Sequence, residues 1–491
     1  MSVRSSWITE TAVYHSDEPF KLESGSTLPE LDISYEIYGK MNKNRTNIIL
    51  VCHALTGDAH LAGYYDGARK PGWWDILVGP NKTLDTNRYC IICSNVLGGC
   101  AGTTGPASIN PQTGREYAAT FPVITIGDMV RAQHLLLRHL QVYQLCAVIG
   151  GSMGGMQALD WAVRYPDMIS KLILIATTAR STPQQIAFHA IGRRAIQGDS
   201  HWNGGEYYGK KRPDRGLSVA RMIGHITYLS DPAMEEKFGR EVKNKEQGPY
   251  ALGPNFQVES YLDYQGNQFC ERFDPNSYLY ITKAVDLFDL TKNGSLADGL
   301  APITARTLAI GISSDWLYPT HQVREIVAAL RTKGNAAEYA EITSKYGHDA
   351  FFLEMGQLDY LISSFLRPKR VSDIMLQYVA SIHEHSTIPE ACQVMVQNTA
   401  SHLPVLNSSG KISGIVTSWD IAKAVAHAIP NSDLNKIITR NVVMISPDDT
   451  IQEAALRMKK HDISALVVSR DGQLLGIVTS EGVSGSMRGN C

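Results

Sequence analysis

One serine of this chain is flanked by glycines in a way that suits covalent chemistry. The stretch "GGSMGG" fits the pattern G-x-S-x-G, with Gly150, Ser152 and Gly154 at the defining positions. An apolar run precedes it and a helix-period segment follows it, which predicts a strand, a sharp turn and a helix in that order. Such a turn displays its serine in a strained conformation and leaves no room for a Cβ at the neighbouring positions. The sequence therefore predicts Ser152 as a nucleophile.

A serine hydroxyl attacks a carbonyl carbon only with a base beside it and an acid that orients the base. Asp315 closes the strand-like stretch "RTLAIGISSD", and His348 follows the next strand, in "SKYGHDAFF". Both residues are therefore predicted at the carboxyl ends of strands, where an open α/β sheet has its site. The order nucleophile, acid, histidine is the one that accompanies this motif. We predict His348 as the base and Asp315 as the residue that orients its imidazole.

Two further kinds of group are needed. Amide donors stabilise the charge that develops on an attacked carbonyl oxygen, and a side chain must bind the substrate. We predict the two amides at Met153, directly after the serine, and at Leu55 in "CHALTG", which follows an apolar run. Arg221, in "LSVARMIGHITYLS", has two interpretations. Either its guanidinium binds a substrate carboxylate, or its aliphatic part packs over the surface of a helix. The spacing alone leaves both open.

Short apolar runs separated by helical segments must position these groups. They are "NIILVCHAL", "RYCIICSNVLGG", "LCAVIGG", "KLILIATTA", "RTLAIGISSD" and "AEYAEITS". Buried strands that alternate with helices predict the α/β class, with a mainly parallel sheet covered on both faces. Between about residues 180 and 300 the strand signal fades and helical patterns dominate. We therefore expect a helical cap over the site.

Composition narrows the function classes. The chain has 491 residues and a formal net charge of −2, which gives no electrostatic reason to expect nucleic acid or an anionic membrane as partner. No apolar run reaches the length of a membrane span, and the amino terminus lacks the apolar core of a signal peptide, so we expect a cytoplasmic protein. Cys90 and Cys93 form a C-x-x-C pair inside a strand-like run. We predict structural thiols and no metal there, with a zinc or redox site as the alternative.

The last part of the chain repeats itself. The stretch "HSTIPEACQVMVQNTASHLPVLNSSGKISGIVTSWDI" aligns with "DDTIQEAALRMKKHDISALVVSRDGQLLGIVTSEGV". Such a repeat predicts two copies of one unit packed against each other. A basic stretch around Pro368 is a plausible joint before them. The predicted domains are therefore residues 1–367, with the cap at about 180–300, followed by 371–432 and 433–491.

Several motifs of the first part together resemble a known family. The stretches "CHALTG", "LGGCAGTTGP", "GGSMGGMQALDWA", "ARMIGHITYLS" and "YGHDAFF" stand in the order found in homoserine O-acetyltransferases. The resemblance implies an α/β-hydrolase fold, a cytoplasmic homodimer, and ping-pong transfer of acetyl from acetyl-CoA to L-homoserine in methionine biosynthesis. It places the family's nucleophile, acid and base on Ser152, Asp315 and His348. It also places the substrate-binding arginine on Arg221 and a carboxylate for the substrate ammonium on Asp349.

Two alternatives to this activity stay open on the sequence. Related enzymes of the same fold use succinyl-CoA as the donor, and others hydrolyse esters or thioesters with the same three residues. The resemblance implies acetyl-CoA as a co-substrate and no bound cofactor.

The repeated segment resembles a pair of CBS domains, which are built as β-α-β-β-α units and bind adenosyl ligands. Thr417 and Asp420 match the family's G-x-x-T-x-x-D, in which the aspartate binds ribose hydroxyls. The second repeat has Gly482 in place of that aspartate. The resemblance implies regulation by an adenosyl ligand at the pair, and the alternative is a pair that only supports dimerisation.

Overall fold

The computed structural model describes residues 7–65, 70–243, 253, 255–292, 294–367, 370–377, 379–427 and 433–488. The chain divides into two compact units, Met1–Leu366 and Arg367–Cys491. The predicted joint at Pro368 and the predicted domain ends at residues 1, 432 and 491 lie outside the described residues.

An eight-stranded sheet forms the centre of the first unit. Its strands are β1 (Ile8–Ser16), β2 (Leu31–Tyr38), β3 (Ile48–Cys52), β4 (Cys90–Ser94), β5 (Ala147–Gly151), β6 (Lys171–Ile175), β7 (Arg306–Ile312) and β8 (Ala337–Ile342). Their order across the sheet is β1-β2-β4-β3-β5-β6-β7-β8. Strand β2 runs antiparallel to both of its neighbours, and β3 to β8 are parallel. The six apolar runs of the sequence form these six parallel strands, so the α/β class is confirmed.

Helices follow the strands and cover both faces of the sheet. They are α1 (Ile126–His139), α2 (Met153–Arg164), α3 (Pro183–Gly198), α4 (Asp214–Tyr228), α5 (Asp231–Phe238), α6 (Gln257–Cys270), α7 (Pro275–Asp286), α8 (Leu296–Leu300), α9 (Thr320–Thr332), α10 (Ala350–Leu353) and α11 (Met355–Leu366). Each central strand contributes to an apolar core on either side. In β3, Leu50 and Cys52 belong to one core, and Ile49 and Val51 belong to the other. This two-sided burial explains why the strands are continuous apolar runs in the sequence.

The helices α3 to α8 form a cap between strands β6 and β7. The cap begins at Thr182, whose side chain accepts a hydrogen bond from the Gln185 amide while the Gln185 side chain accepts one from the Thr182 amide. Pro183 occupies the first helical position, where its missing N–H costs nothing. Local sequence thus sets where the chain leaves the sheet to form the cap.

The second unit contains two copies of one β-α-β-β-α arrangement. The first copy has β9 (Ile382–His383), α12 (Ile388–Asn398), β10 (His402–Leu406), β11 (Ile412–Thr417) and α13 (Ser418–Ala426). The second copy has β12 (Met444–Ile445), α14 (Ile451–His461), β13 (Ala465–Arg470), β14 (Gln473–Thr479) and α15 (Ser480–Arg488). Each copy has its own small apolar core. The repeat seen in the sequence is therefore also a structural repeat.

The two copies begin and end their long helices in the same way. Thr387 and Thr450 cap the amino termini of α12 and α14 with their hydroxyls. Thr399 and Asp462 end these helices in the left-handed conformation. Within the described residues, no helix has both the length and the apolar character that crossing a membrane requires.

Candidate active site

Ser152 lies in a tight turn between strand β5 and helix α2. Its φ of 56° and ψ of −125° are strained for a residue with a side chain. A Cβ at Gly150 would lie 2.0 Å from the carbonyl oxygen of Gly154, and a Cβ at Gly154 would lie 2.0 Å from that of Cys52. Both positions therefore require glycine. The Thr177 hydroxyl donates to the Ser152 carbonyl oxygen at 2.8 Å and fixes the turn from β6.

The structure places His348 and Asp315 together at the carboxyl ends of β7 and β8. Nδ1 of His348 lies 2.7 Å from Oδ2 of Asp315, and both side chains are buried. The other carboxylate oxygen, Oδ1, accepts hydrogen bonds from the amides of Leu317 and Tyr318, each at 2.9 Å. Asp315 is thereby held in one orientation. Since Asp315 occupies Nδ1, the other ring nitrogen of His348 is the one available as a base.

Leu55 and Met153, the residues predicted to donate their amides, both lie near the serine. Met153 is the first residue of α2, so its amide has no partner within the helix. Leu55 and Ser152 line the same cavity. His53 braces the loop that carries Leu55, because its Nδ1 lies 2.8 Å from the Ala54 carbonyl oxygen and its Nε2 accepts from the Val96 amide at 3.1 Å. Burial lowers the pKa of His53, which keeps the ring neutral for these two bonds.

A buried polar chain that sequence reasoning missed connects helix α2 to this loop. The Gln157 side chain donates to the His53 carbonyl oxygen at 3.1 Å. Gln133 donates to Gln157 at 2.8 Å, and the Trp161 indole donates to Gln133 at 2.7 Å. These bonds hold helix α2 against the loop that carries Leu55. The signal of this polar chain in the sequence was a glutamine one turn after Met153, on the buried part of the helix.

A cavity of about 360 Å³ opens beside the serine and the histidine. It is lined by Ala54, Leu55, Thr56, Gly57, Trp73, Ser152, Arg221, Tyr228, Arg272, His348, Asp349, Phe351 and Phe352. The structure thus brings Arg221 and Asp349 into one cavity with the nucleophile and base.

Arg221 and Asp349 offer separate positive and negative charges to that cavity. Arg221 lies over the rings of Tyr228 and Phe269, at 5.5 and 4.8 Å from the ring centroids. Within the described part of the chain, neither Arg221 nor Asp349 has an ion-pair partner. Burial raises the pKa of Asp349, and the nearby charges of His348 and Arg221 act in the opposite direction. The arrangement suits a small zwitterion, since each of its charges meets an unpaired opposite charge.

Arg272 is a second cavity arginine, which the sequence analysis did not single out. Its Nη1 donates to the Thr56 carbonyl oxygen at 2.8 Å, beside the loop of Leu55. Burial lowers its pKa, and Arg221 adds to that effect. Burial and the same two arginines, with Lys237, also lower the pKa of His225 to about 3. The cap side of the cavity therefore carries net positive charge and favours anionic ligand groups.

The turn that begins α13 holds the two residues predicted for an adenosyl ligand. The Thr417 hydroxyl accepts from the Asp420 amide at 3.2 Å, and Oδ2 of Asp420 accepts from the Thr417 amide and hydroxyl at 3.0 and 2.6 Å. In the second copy, the Thr479 hydroxyl accepts from the Gly482 amide at 3.1 Å, and position 482 carries no carboxylate. The Glu481 carboxylate lies at this turn instead, where hydrogen bonds to its own amide and to the Thr479 side chain lower its pKa. The two turns share a threonine cap and differ in the position of the carboxylate, which is the third helical residue in the first copy and the second helical residue in the second.

The C-x-x-C pair lies in strand β4. Burial raises the pKa of Cys90 to about 12 and that of Cys93 well above its usual value. Both are free cysteines. Across the described residues, no group of three or more His, Cys, Asp or Glu side chains could hold a metal ion.

Both units of the chain match known protein families. Residues 47–354 match the family described as alpha/beta hydrolase fold. Residues 371–427 and 433–487 each match the family described as CBS domain.

Relatives match over nearly the whole chain. A homoserine O-acetyltransferase of Methanosarcina acetivorans is 54% identical over 509 residues, which cover 97% of this chain and 94% of the relative. A homoserine O-acetyltransferase of Methanococcus vannielii is 50% identical over 481 residues, which cover 97% of this chain and 98% of the relative.

Solved structures resemble the first unit. A homoserine O-acetyltransferase from Bacillus anthracis matches with a TM-score of 0.69 and 33% identity, covering 73% of this chain and 97% of its own. An esterase matches with a TM-score of 0.68 and 31% identity, covering 73% of this chain and 100% of its own. The fold thus accommodates both acyl transfer and ester hydrolysis.

Proposed function

Because this chain belongs to the homoserine O-acetyltransferases, we propose that Ser152, His348 and Asp315 carry an acetyl group from acetyl-CoA to the hydroxyl of L-homoserine. The proposed mechanism is ping-pong, with an acetyl ester of Ser152 as the intermediate. The observation that carries it is the pair of unpaired charges, Arg221 and Asp349, in the cavity of the nucleophile and base.

In the first half-reaction, His348 takes the proton of the Ser152 hydroxyl as the oxygen attacks the thioester carbonyl. The amides of Leu55 and Met153 stabilise the charge on the carbonyl oxygen. Asp315 stabilises the imidazolium through its 2.7 Å contact with Nδ1. The carbon–sulfur bond then breaks, and His348 returns the proton so that coenzyme A leaves as the free thiol.

In the second half-reaction, homoserine enters the cavity that coenzyme A has left. We propose that Arg221 binds its carboxylate in a bidentate manner and that Asp349 binds its ammonium group. Two fixed charges leave the substrate hydroxyl only a small range of positions, which raises the effective concentration of the attacking oxygen. His348 removes the hydroxyl proton, the ester of Ser152 is attacked, and O-acetyl-L-homoserine departs.

A direct test follows free thiol released from acetyl-CoA and from succinyl-CoA, each with and without L-homoserine. We expect thiol release that requires homoserine, prefers acetyl-CoA and disappears in Ser152→Ala. Preference for succinyl-CoA would make the chain a succinyltransferase and would contradict the proposed donor.

A second candidate function is hydrolysis of esters or thioesters, which the structural likeness to an esterase favours. The same three residues would then pass the acyl group to water. The thiol assay separates the candidates, because a hydrolase releases thiol at the same rate with and without homoserine. The unpaired Arg221 and Asp349 favour the transferase, since water needs neither charge.

For the carboxyl-terminal pair, we propose an adenosyl ligand at the first copy, with Thr417 and Asp420 contacting its ribose. The support is the match to the CBS family and the placement of Asp420 at the amino terminus of α13. Calorimetric titration of the full chain with S-adenosylmethionine and with adenine nucleotides tests this. Binding should be lost in Asp420→Ala, and the absence of heat from every adenosyl compound would overturn the proposal.

The alternative role of the pair is dimerisation, and we propose a cytoplasmic homodimer. Large apolar side chains of the first copy support self-association, since Val396, Trp419 and Val425 are 80, 67 and 72% exposed. Light scattering of the full chain and of Val425→Lys tests the oligomeric state. A monomeric wild type would contradict the proposal.

A further inference from the structure

The Leu55 amide belongs to a tight turn that follows strand β3. The Gly57 amide closes this turn by donating to the Ala54 carbonyl oxygen at 2.9 Å. A peptide group is planar and trans, so its carbonyl oxygen and its amide point in opposite directions. The Ala54 oxygen and the Leu55 amide share one peptide group, so a bond that holds the oxygen also aims the amide. Within the part of the chain that the structure describes, the Leu55 amide has no acceptor and is available to a substrate oxygen.

Arg272 acts on the other end of this turn, from the cap. Its Nη1 donates to the Thr56 carbonyl oxygen at 2.8 Å. That oxygen shares a peptide group with the Gly57 amide, which donates to the oxygen of Ala54. Three donors therefore follow one another head to tail, from the guanidinium to the Leu55 amide.

The first donor of this series carries a full positive charge. An arginine side chain keeps its proton in proteins. Among the described residues, no carboxylate forms an ion pair with Arg272. Hydrogen bonds in series polarise one another, and a charged donor makes a stronger bond than a neutral one. The guanidinium therefore draws electron density through both peptide groups and makes the Leu55 amide a stronger donor.

His53 gives the Ala54 oxygen a second donor. Nε2 of His53 accepts from the Val96 amide, so the neutral ring carries its proton on Nδ1, 2.8 Å from the Ala54 oxygen. A carbonyl oxygen has two lone pairs and accepts both bonds. The sheet thus holds the turn through His53, and the cap acts on the same turn through Arg272.

We propose that Arg272 is a positioning residue for acyl transfer, which acts through the turn of Leu55 on the oxygen of the attacked carbonyl. This inference rests on the proposed acyl-Ser152 intermediate, with Leu55 as one of the amide donors. The bond from such an amide strengthens as negative charge develops on the oxygen, so a polarised amide favours the transition state over the bound substrate. Arg272 therefore assists both half-reactions, because each passes through an oxyanion at the same place.

A cavity arginine could instead bind an anionic part of a substrate. Arg272 lines the cavity together with Arg221, and the candidate anions are the carboxylate of homoserine and the phosphates of coenzyme A. The neutral ester p-nitrophenyl acetate separates these roles. It has no carboxylate or phosphate, yet its attack by Ser152 produces the same oxyanion and releases p-nitrophenol.

Two variants of Arg272 and one control are needed. Arg272→Ala removes the charge and the bond to Thr56, and Arg272→Lys keeps the charge. The control is Arg331→Ala, on helix α9. Nε of Arg331 donates to the Ala337 carbonyl oxygen, also at 2.8 Å, and Arg331 does not line the cavity. The control thus loses the same kind of bond at the same length, away from Ser152.

The experiment measures the saturating rate of the p-nitrophenol burst, which reports formation of the acyl-Ser152 ester. Removal of a whole oxyanion donor costs about 10²- to 10³-fold, and we expect weakening of one donor in Arg272→Ala to cost about 10-fold. Arg272→Lys should lose less. Added methylguanidinium should restore part of the rate of Arg272→Ala, whereas Arg331→Ala should match the wild type. Melting temperatures identify any loss of rate that comes from misfolding.

The full reaction gives a second measurement. With acetyl-CoA and L-homoserine, kcat of Arg272→Ala should fall by about the same factor, while the KM for homoserine stays within about 3-fold of the wild type. A raised KM for homoserine with an unchanged p-nitrophenol burst would assign Arg272 to the substrate carboxylate and overturn the proposal. A raised KM for acetyl-CoA with an unchanged burst would assign it to coenzyme A, with the same consequence.

Failure of this inference and failure of the proposed function give different results. If thiol release requires homoserine but Arg272→Ala and Arg331→Ala form the acyl ester equally fast, the role of Arg272 is wrong and the proposed function stands. If no donor gives homoserine-dependent thiol release but Arg272→Ala still slows the p-nitrophenol burst, the transferase function fails and Arg272 assists a hydrolase.

Discussion

The two units of this chain build their sites in different ways. In the first, the residues that meet at Ser152 come from segments as distant as Leu55 and Asp349, brought together because parallel strands end at one edge of the sheet. In the second, Thr417 and Asp420 lie on one helical turn. The first site therefore depends on the whole fold, and the second on a local motif.

The second unit contains its own internal comparison. Helix α15 begins at Thr479 with the same hydroxyl-to-amide bond as α13, although Gly482 has no carboxylate. A carboxylate at the third helical position is thus not required for such a helix to begin, and at α15 the neighbouring Glu481 carboxylate interacts with the Thr479 side chain instead. Loss of a catalytic residue should therefore cost the first site far more activity than loss of the Asp420 charge costs the second site in affinity.

The largest effect is expected at the nucleophile. Ser152→Ala should lower thiol release from acetyl-CoA by about 10⁴-fold or more, since no other group at the turn can form the acyl intermediate. Steady-state thiol assays measure this, and adenosyl binding by the second unit should be unchanged. Ser152→Gly should be equally inactive but more stable than Ser152→Ala by about 1 kcal/mol, because glycine accepts the positive φ without strain.

The second largest loss of activity is expected when Asp315, the acid of the three residues, is changed. Asp315→Asn should lower kcat by about 10³- to 10⁴-fold, because an amide no longer fixes the tautomer of His348 or stabilises its charged form. The surface variant Asp298→Asn is the matched control and should retain full activity. Retention of a tenth of the activity by Asp315→Asn would show that another residue orients the histidine.

The acceptor site should show a smaller and more selective loss. Arg221→Ala should raise the KM for homoserine by about 10- to 100-fold, the range expected for a lost charged hydrogen bond. The initial burst of thiol from acetyl-CoA should be unchanged, because the first half-reaction does not involve homoserine. Arg194→Ala, an exposed arginine of the cap, serves as the control. Equal loss of the burst in Arg221→Ala would mean that Arg221 acts on the donor instead.

The pH dependence of homoserine binding tests Asp349. Burial raises the pKa of this carboxyl, and only its ionised form attracts an ammonium group. As the pH falls towards that raised pKa, the KM for homoserine should increase, by up to about 10-fold for each pH unit below it. An ordinary aspartate would keep KM constant down to more acidic conditions. Asp349→Asn should have a higher KM that no longer depends on pH over this interval, whereas the KM for acetyl-CoA should match that of the wild type.

Sequence patterns predicted the parts of this molecule whose signal is local or ordered along the chain. The glycines around Ser152 are required by contacts as short as 2.0 Å, so the motif marks the turn reliably. Asp315 and His348 were placed by their order and by their positions after buried strands. Strand β1 gave no such signal, because its residues alternate between exposed and partly buried and form no continuous apolar run.

The remaining site features depend on contacts between distant segments. Arg272 lies between two cap helices with no motif around it, and only the folded cap brings it beside Thr56. The cavity beside Ser152 is likewise bounded by residues from distant segments, from Leu55 to Phe352, and no single stretch encodes a volume. Residue identities and order can therefore predict the chemistry, whereas the selectivity of the site requires the packed structure.

The smallest effects are expected in the second unit. Asp420→Asn should weaken adenosyl binding by about 10-fold, equivalent to about 1.4 kcal/mol, because the ribose loses a charged acceptor. The Thr417 hydroxyl still caps α13 in this variant, so the melting temperature should change little. Calorimetry on the full chain measures both quantities. Unchanged affinity would place the ligand elsewhere.

Gly482→Asp adds to the second copy the carboxylate that Asp420→Asn removes from the first. A Cβ at Gly482 would lie 3.6 Å from the Ile374 carbonyl oxygen and 3.7 Å from the Thr479 hydroxyl, which are ordinary contacts, so the aspartate fits. It can complete the reciprocal bonds that Asp420 makes in the first copy, and should raise stability by a few tenths of a kcal/mol, as an acidic group does at a helix amino terminus. If a local motif is sufficient for binding, calorimetry should also detect a second, weaker adenosyl site. A gain in stability without a second site would show that the carboxylate alone does not make the site and that other residues of the first copy are needed.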